Sequence, residues 1–203
     1  HLSAIRVQVT YVNLETESIR RFQEELSAEE LRVWFQKLVD AYHKWISYQL
    51  EWRQQRNASM KGLEFPFPYR EGQRKITAGV YHTIARRKQL FVQAPTGVGK
   101  TMSAVFPAVR AVGEGLGEKI FYLTAKTITR TVAEEAFSIL AERGLKYKVI
   151  TLTAKEKLCF QEEAECDPEK CPYARGHFDR VNDAVYELWT GEMRYDRETI
   201  LRQ

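Results

Sequence analysis

The feature that most constrains this sequence is the glycine-rich segment APTGVGKT, Ala94 to Thr101, which overlaps the end of the apolar run LFVQA. A short apolar run of this kind predicts a strand, and the residues from Lys100 to Val112 carry a helical pattern. A strand that turns through glycines into a helix brings backbone N–H groups to the helix N-terminus, where they can bind phosphate oxygens. The segment therefore predicts an α/β fold with a phosphate-binding loop.

Every chemical group that a nucleotide requires is present in this loop. Gly97 and Gly99 let the backbone converge on oxyanions, the Lys100 ammonium can reach the β and γ phosphates, and the Thr101 hydroxyl can hold Mg²⁺. The predicted cofactors are therefore ATP and Mg²⁺, and Lys100 and Thr101 are the predicted catalytic residues. The predicted nucleotide-binding residues of the loop are Ala94, Pro95, Thr96, Gly97, Val98, Gly99, Lys100 and Thr101. A chance glycine-rich turn is the alternative.

Helical and strand patterns alternate around the loop. Alternation of this kind predicts right-handed crossovers and a parallel sheet of the RecA-like class. A segment rich in glycine and proline, residues 62–72, marks the start of this domain, which we place at residues 62–153. The predicted elements are helix 73–87, strand 90–94, helix 100–112, strand 119–123, helix 131–143 with a capping box formed by Thr131 and Glu134, and strand 147–152.

A strand and a long helix precede this domain, in residues 1–61. Apolar and polar residues alternate from Ala4 to Tyr11, which predicts a strand with one face on a core. Ser27 and Glu30 fit a capping box, and the apolar residues that follow at helical spacing predict an amphipathic helix over 28–56. Its aromatic stripe is either core or a ligand surface, and core packing is the commoner role.

Charge and hydropathy set few limits on function. The net charge is +4 at pH 7, a small excess that permits nucleic-acid binding without arguing for it. No apolar run is long enough for a membrane span, so we expect no membrane partner and a cytoplasmic location. The sequence lacks an initiator Met and opens inside a predicted strand, so we expect a fragment of a longer chain.

Cys159, Cys166 and Cys171 are the only cysteines, with six and then four residues between them. Clustered thiols suit a metal centre, either zinc or an iron–sulfur cluster, and the lack of a C-x-x-C pair disfavours common zinc ribbons. His177 is either a substitute ligand or a surface residue. Buried thiols without metal are the other alternative. We assign residues 154–203 to a small cysteine-rich lobe.

Four segments together resemble a known family. YREGQRKITAGVYHTI, LFVQAPTGVGKT, IFYLTAKTITRTVAEEA and ITLTAKEKLC occur in the order found in the first motor domain of the iron–sulfur superfamily 2 DNA helicases related to DinG and XPD. The resemblance covers Phe65 to Asp179. It implies that Tyr69, Arg70 and Gln73 lie by the adenine. It also implies a 4Fe–4S cluster held by the three cysteines, with a fourth ligand beyond Gln203.

The same resemblance implies a grip on single-stranded or forked DNA and movement from 5′ to 3′. The implied DNA-binding residues are Thr124, Lys126, Thr127, Thr129 and Arg130, whose hydroxyls and charges suit phosphate oxygens. A polar loop with a helix cap is the alternative. The other implied partner is a second motor domain of the same chain. No strand after Leu152 ends in the acidic pair that hydrolysis needs, so we expect this segment alone to turn over ATP poorly.

Residues 1–61 resemble, more weakly, the tail of a PD-(D/E)xK nuclease-like module, in which we assign no catalytic residue. Two other functions are compatible with the sequence. One is a P-loop ATPase or kinase with a structural zinc lobe that does not act on DNA, and the other is a non-catalytic DNA-binding remnant. DNA-stimulated ATP hydrolysis and iron in the lobe distinguish the helicase from the kinase.

Overall fold

The computed structural model describes residues 3–125, 127–162 and 165–202, with the backbone alone at 127–129. The chain divides into two compact units between Leu50 and Glu51. Among the helices that are described, none combines the length and the apolar character that a membrane span requires.

A β-hairpin opens the first unit. Strands β1 (Ala4–Val12) and β2 (Ile19–Ser27) pair antiparallel along their whole length. In the connecting turn the Asn13 side chain accepts hydrogen bonds from two backbone N–H groups, at 2.8 and 2.9 Å. The predicted strand is thus confirmed, whereas β2 was missed because adjacent like charges interrupt its alternation of apolar and polar residues.

Helix α1 (Ala28–Lys61) follows the hairpin and begins at the predicted capping box. The Glu30 carboxylate accepts hydrogen bonds from the Ser27 N–H at 2.8 Å and the Ser27 hydroxyl at 2.7 Å. The Glu30 N–H donates in return to the Ser27 hydroxyl at 3.2 Å. This reciprocal bonding satisfies backbone donors that a helix start otherwise leaves unpaired, and it lowers the pKa of Glu30, chiefly through the bond from the Ser27 backbone.

The predicted core packing of the first unit is wrong for most of its apolar residues. On α1, Trp34 and Phe35 are 54 % and 60 % exposed, and on β1 the apolar residues are also exposed. A two-stranded hairpin and half a helix offer too little apolar area to cover one another. Burial on α1 is found instead at its C-terminal end, where Met60 is 1 % exposed.

Three helices pack together in the second unit: α2 (Gln73–Ala85), α3 (Lys100–Gly113) and α4 (Thr127–Glu142), of which α3 and α4 supply most of the apolar core. Helix α3 packs against both α2 and α4. It can do so because Val105, Val109 and Val112 recur at helical spacing and are almost fully buried. The core cluster consists of Met60, Leu63, Met102, Val105, Phe106, Val109, Val112, Ala136, Leu140 and Leu145.

The predicted helix bounds hold for α2 and α3 to within two residues. Helix α4 differs, because it begins at Thr127 rather than at 131. Thr131 therefore lies inside the helix, and the predicted capping box with Glu134 is wrong. The Glu134 carboxylate has other partners, which are described below.

The predicted parallel sheet is largely absent from the described residues. Neither 90–94 nor 119–123 forms a hydrogen-bonded strand, and Phe91 and Leu123 are 92 % and 87 % exposed. A parallel strand needs neighbours that satisfy its backbone groups and cover its apolar side chains. Within the described chain these two segments lack such neighbours, so the apolar pattern that predicted them does not produce a sheet here.

One short parallel pair does form. Strand β3 (Val149–Ile150) lies in the predicted strand 147–152, and the chain continues through a 3₁₀ turn (Lys155–Lys157), helix α5 (His177–Thr190), strand β4 (Arg194–Tyr195) and helix α6 (Arg197–Arg202). Strand β4 pairs with β3 through hydrogen bonds of 2.8 Å on either side. The cysteine-containing segment thus returns to the helical core, while its predicted status as a separate domain stays a prediction.

Leu140→Ala tests the core. Leu140 is fully buried on α4, so removing its side chain should lower the free energy of unfolding by about 2–5 kcal/mol. Leu152→Ala makes the same chemical change at a residue that is 79 % exposed and should have little effect. Urea unfolding followed by circular dichroism measures both. Equal effects of the two substitutions would contradict the packing described here.

Candidate functional site

The glycine-rich loop ends where α3 begins. Gly97 and Gly99 have φ values of +81° and +80°, a backbone conformation that L side chains rarely adopt. Gly99 is the residue that precedes α3, and its carbonyl accepts hydrogen bonds from the N–H and the hydroxyl of Ser103 at 3.1 and 3.0 Å. The unpaired N–H groups of the first turn, and the positive end of the helix dipole, therefore lie at this loop.

The Lys100 side chain folds back over the loop. Its ammonium donates hydrogen bonds to the carbonyl oxygens of Ala94 at 3.0 Å and Pro95 at 2.7 Å. The side chain is nevertheless exposed. An exposed ammonium that is held by neutral carbonyls can move to a charged oxygen acceptor, with which it forms a stronger bond.

Thr101 follows Lys100 in the first turn of α3. Its hydroxyl accepts a hydrogen bond from the Tyr122 hydroxyl at 3.5 Å. Tyr122 lies in the segment 119–123, so this contact brings that segment to the loop although no strand forms there. Sequence reasoning missed Tyr122, because nothing in its local pattern signals a contact with a residue 21 positions away.

Arg70 and Gln73 also reach the loop, from the start of α2. Gln73 is buried, and its amide oxygen accepts a hydrogen bond from the Arg70 N–H at 2.8 Å. The Arg70 guanidinium donates to the Gly97 carbonyl at 2.5 Å. The Gln73 amide nitrogen lies so close to Gly99 that a Cβ there would collide with it. A side chain at Gly99 would therefore displace the end of the Gln73 side chain.

Tyr69 is placed differently from its two neighbours. Its ring stacks on Phe65, with 4.2 Å between ring centroids, and the Arg74 guanidinium lies 5.3 Å from the Tyr69 ring centroid. It also lines a cavity of about 300 Å³ between α2 and α3, whose lining includes no residue of the glycine-rich loop. The sequence groups Tyr69 with Arg70 and Gln73, but the described contacts join only Arg70 and Gln73 to the loop.

The predicted nucleic-acid residues surround the start of α4. Thr124 is exposed just before the helix, Lys126 lies outside the described residues, and the side chains of Thr127 and Thr129 are not described. Arg130 is partly buried, with its Nε 3.6 Å from a Glu134 carboxylate oxygen. The segment thus coincides with a helix N-terminus, where the helix dipole favours anions.

The three cysteines are free thiols in different surroundings. Cys159 is partly buried, Cys166 is exposed and Cys171 is buried. A hydrogen bond with Cys166 raises the pKa of Lys155, and the charges of Cys166 and Cys159 act in the same direction. In the described chain, no group of three His, Cys, Asp or Glu side chains is arranged to hold a metal ion. The three cysteines therefore do not form the ligand set that a metal cluster requires.

His177 does not complete such a group. It opens helix α5 and contacts the Phe178 ring edge-on at 5.3 Å between centroids. This position fits a residue at a helix start.

Comparison with known proteins identifies relatives of the central part of the chain. The family model of the DEAD/DEAH box helicases matches residues 74–185. A probable ATP-dependent helicase of Methanocaldococcus jannaschii is 43 % identical over 47 residues, which are 23 % of this chain and 7 % of that protein. This chain thus spans only a small part of the length of that relative. No solved structure matches.

A pair of glycine substitutions tests the contact between α2 and the loop. Gly97→Ala and Gly99→Ala both place a side chain at positive φ, which costs about 1–2 kcal/mol. Only the Gly99 substitution also collides with Gln73, so it should lower the free energy of unfolding further than Gly97→Ala. The difference should shrink in a Gln73→Ala background, measured by urea unfolding. A difference that Gln73→Ala leaves unchanged would show that the collision is absent.

Proposed function

The chain belongs to the DEAD/DEAH box helicase family, and on that premise we propose that it is the nucleotide-binding part of an ATP-dependent helicase. Membership implies a RecA-like α/β fold for the matched residues, of which helices α2 to α4 and strand β3 are parts. The observation that carries the proposal is the loop itself. Two glycines at positive φ lead into a buried helix whose first residue is an exposed lysine.

The residues present fit Mg²⁺ and ATP. Backbone N–H groups of the loop and the Lys100 ammonium would bind the phosphates, and the Thr101 hydroxyl, which contacts Tyr122, would hold Mg²⁺. Mg²⁺–ATP supplies the phosphoryl group whose transfer to water provides the energy for movement. The chain's own part is to bind and orient that phosphate. Lys100 and Thr101 act directly on it, so we assign them the catalytic role.

Arg70 and Gln73 complete the nucleotide site. The Gln73 amide can donate to and accept from the edge of an adenine, and its place beside Gly99 at the loop supports that assignment. To reach a base, the buried side chain must turn away from the Arg70 N–H that it bonds in this structure. Arg70 braces the loop through the Gly97 carbonyl. Tyr69 stays in the proposal on the strength of the resemblance to the iron–sulfur helicases, as an aromatic surface near the base.

We assign single-stranded nucleic acid to the start of α4. Helicase family membership supports a nucleic-acid substrate, and the helix N-terminus beside Arg130 offers phosphate-binding groups without base contacts. Thr124, Lys126, Thr127, Thr129 and Arg130 form the proposed grip. That the substrate is DNA, that it is forked, that movement runs from 5′ to 3′ and that a second motor domain closes the site all rest on the resemblance.

The 4Fe–4S cluster has weaker support. Cys159, Cys166 and Cys171 are close in sequence, and Lys155 lies beside two of the thiols. As described, however, they do not form a ligand set, so no step of the function passes through a cluster. The proposal is that the three thiolates act as structural ligands once a fourth ligand and iron are supplied.

Lys100→Ala tests the nucleotide site. Losing the only formal charge in the loop should weaken binding of Mg²⁺–ATP by roughly 10- to 100-fold, the range expected for a hydrogen bond to a charged group. Lys88→Ala is the matched control, since it removes the same charge at an exposed position after α2. Titration calorimetry measures both affinities. Equal affinities in the two variants would overturn the assignment.

Iron content tests the cluster. After anaerobic reconstitution with iron, sulfide and an added small thiol as the fourth ligand, the wild-type chain should bind iron and absorb visible light, and Cys171→Ser should lose most of both. The helical circular dichroism signal of α2 to α4 should persist in the variant. If the reconstituted wild-type chain stays colourless and free of iron, the three cysteines do not form a sufficient ligand set for the cluster.

A further inference from the structure

Glu134 on α4 is the centre of a polar network that joins two strands to the proposed nucleic-acid grip. One carboxylate oxygen accepts a hydrogen bond from the Thr151 hydroxyl at 2.5 Å and lies 3.6 Å from the Arg130 Nε. The other oxygen lies 3.5 Å from a guanidinium nitrogen of Arg194. A single carboxylate thus interacts with two arginines and a hydroxyl.

The surroundings of Glu134 make these contacts stronger than those of an exposed ion pair. Its side chain is only 16 % exposed, while those of Arg130 and Arg194 are 43 % and 42 % exposed, so water screens these ion pairs only in part. Arg130 is held less completely. Its Nε is buried and makes no hydrogen bond, and it faces Glu134 at a distance beyond hydrogen bonding. Charge attraction therefore holds this guanidinium, and the Nε donor is left unused.

The unused donor lies in the segment that we assign to nucleic-acid phosphate. Arg130 is in the first turn of α4, close to the helix N-terminus. A phosphate at this end would offer the guanidinium a charged acceptor with favourable hydrogen-bond geometry. Glu134 and a phosphate would then compete for the same side chain.

The carboxylate also reaches the far end of the chain. Arg194 is in strand β4, and its second guanidinium nitrogen donates to the Ser138 hydroxyl on α4 at 2.8 Å. Thr151 directly follows β3 and donates its N–H to the Tyr195 carbonyl at 2.8 Å. When Arg130 turns to a phosphate, Thr151 and Arg194 still compensate the Glu134 charge. The carboxylate therefore need not become an uncompensated buried charge.

We propose that Glu134 is a positioning residue that sets the affinity of α4 for nucleic-acid phosphate, by holding Arg130 in competition with the phosphate. The proposal rests on the proposed function, because it takes α4 as the nucleic-acid grip. It goes beyond that function by naming a residue that makes no contact with the ligand and yet controls binding. Binding and release of the strand are thereby linked to the contacts of α4 with β3 and β4.

Binding of a labelled oligothymidylate to the chain, followed by fluorescence anisotropy, tests the proposal. Glu134→Gln frees Arg130 and should tighten binding by roughly 2- to 5-fold, the range expected for a partly exposed ion pair. Glu135→Gln is the matched control, because it makes the same change at the next, exposed position of α4. It should shift the affinity less. The salt dependence of Glu134→Gln should steepen, by at most about 0.7 in the slope of log K against log salt, because the wild-type Arg130 contacts phosphate only part of the time and 0.7 is the value for one full contact with a single strand.

Thr151→Val should change the affinity for the oligonucleotide in the opposite direction, and it leaves the net charge unchanged. Thr151 and Arg130 face the same oxygen of Glu134, so losing the hydroxyl leaves that oxygen to Arg130 and should weaken binding. In an Arg130→Gln background, Glu134→Gln and Glu135→Gln should have equal effects. A merely structural role of Glu134 would not steepen the salt slope and would not give effects of opposite sign.

The outcomes separate the two levels of the account. If the wild-type chain binds the oligonucleotide but Glu134→Gln and Glu135→Gln are indistinguishable, the role of Glu134 is overturned and the proposed grip stands. If Arg130→Gln binds as tightly as wild type, Arg130 does not contact phosphate and the role of Glu134 is overturned as well. A wild-type chain with no salt-dependent binding would overturn both the grip and the inference.

Discussion

The burial of helix α3 is the constraint on which the rest of the second unit depends. Val105 and Val109 are almost inaccessible between α2 and α4, so the helix has one position relative to its neighbours. Its N-terminus lies at the glycine-rich loop that we propose binds phosphate. The buried row of apolar side chains therefore determines where the loop amides point, and the Gln73 side chain against Gly99 fixes the loop from the side of α2. The packing of α3 thus positions the backbone N–H groups at its N-terminus.

The helices were predictable because their signals are local. The Ser27 and Glu30 pair starts α1, and the glycines before Lys100 start α3, each at the predicted residue. These signals act through hydrogen bonds and backbone dihedral angles within a few residues. The predicted start of α4, four residues too late, also came from a local signal. Thr131 and Glu134 match the spacing of a capping box, but the carboxylate interacts instead with Arg130 one turn earlier and with Thr151 and Arg194 further along the chain.

The strands were predictable only in part because a strand depends on its neighbours. The apolar runs at 90–94 and 119–123 have the composition of buried parallel strands, and family membership supports that fold. Most of their apolar side chains are exposed, apart from Ile120, which packs against the core cluster, and their backbone groups lack a ladder among the described residues. Strand β4 is the opposite case, because it forms without a strand-like sequence. Arg194 and Tyr195 carry no strand pattern, yet they pair with β3 because the chain returns there.

The residues of the candidate site also differ in whether a local sequence signal could predict them. The residues of the loop were predictable from spacing, since adjacent positions supply the amides, the ammonium and the hydroxyl. Tyr122 and Arg194 reach their partners across 21 and 60 positions and leave no local signal. The cysteines were recognised as a group in sequence, but their side chains are in three different environments. Spacing indicates which residues can share a site, whereas packing decides whether they do.

Hydrogen exchange with and without Mg²⁺–ATP tests the central claim most directly. We expect the nucleotide to slow exchange at the backbone N–H groups of residues 96–101 and at the first turn of α3, while the β1–β2 hairpin stays unchanged. Protection confined to the cavity between α2 and α3, or no protection at any described residue, would contradict the claim that this loop receives the triphosphate.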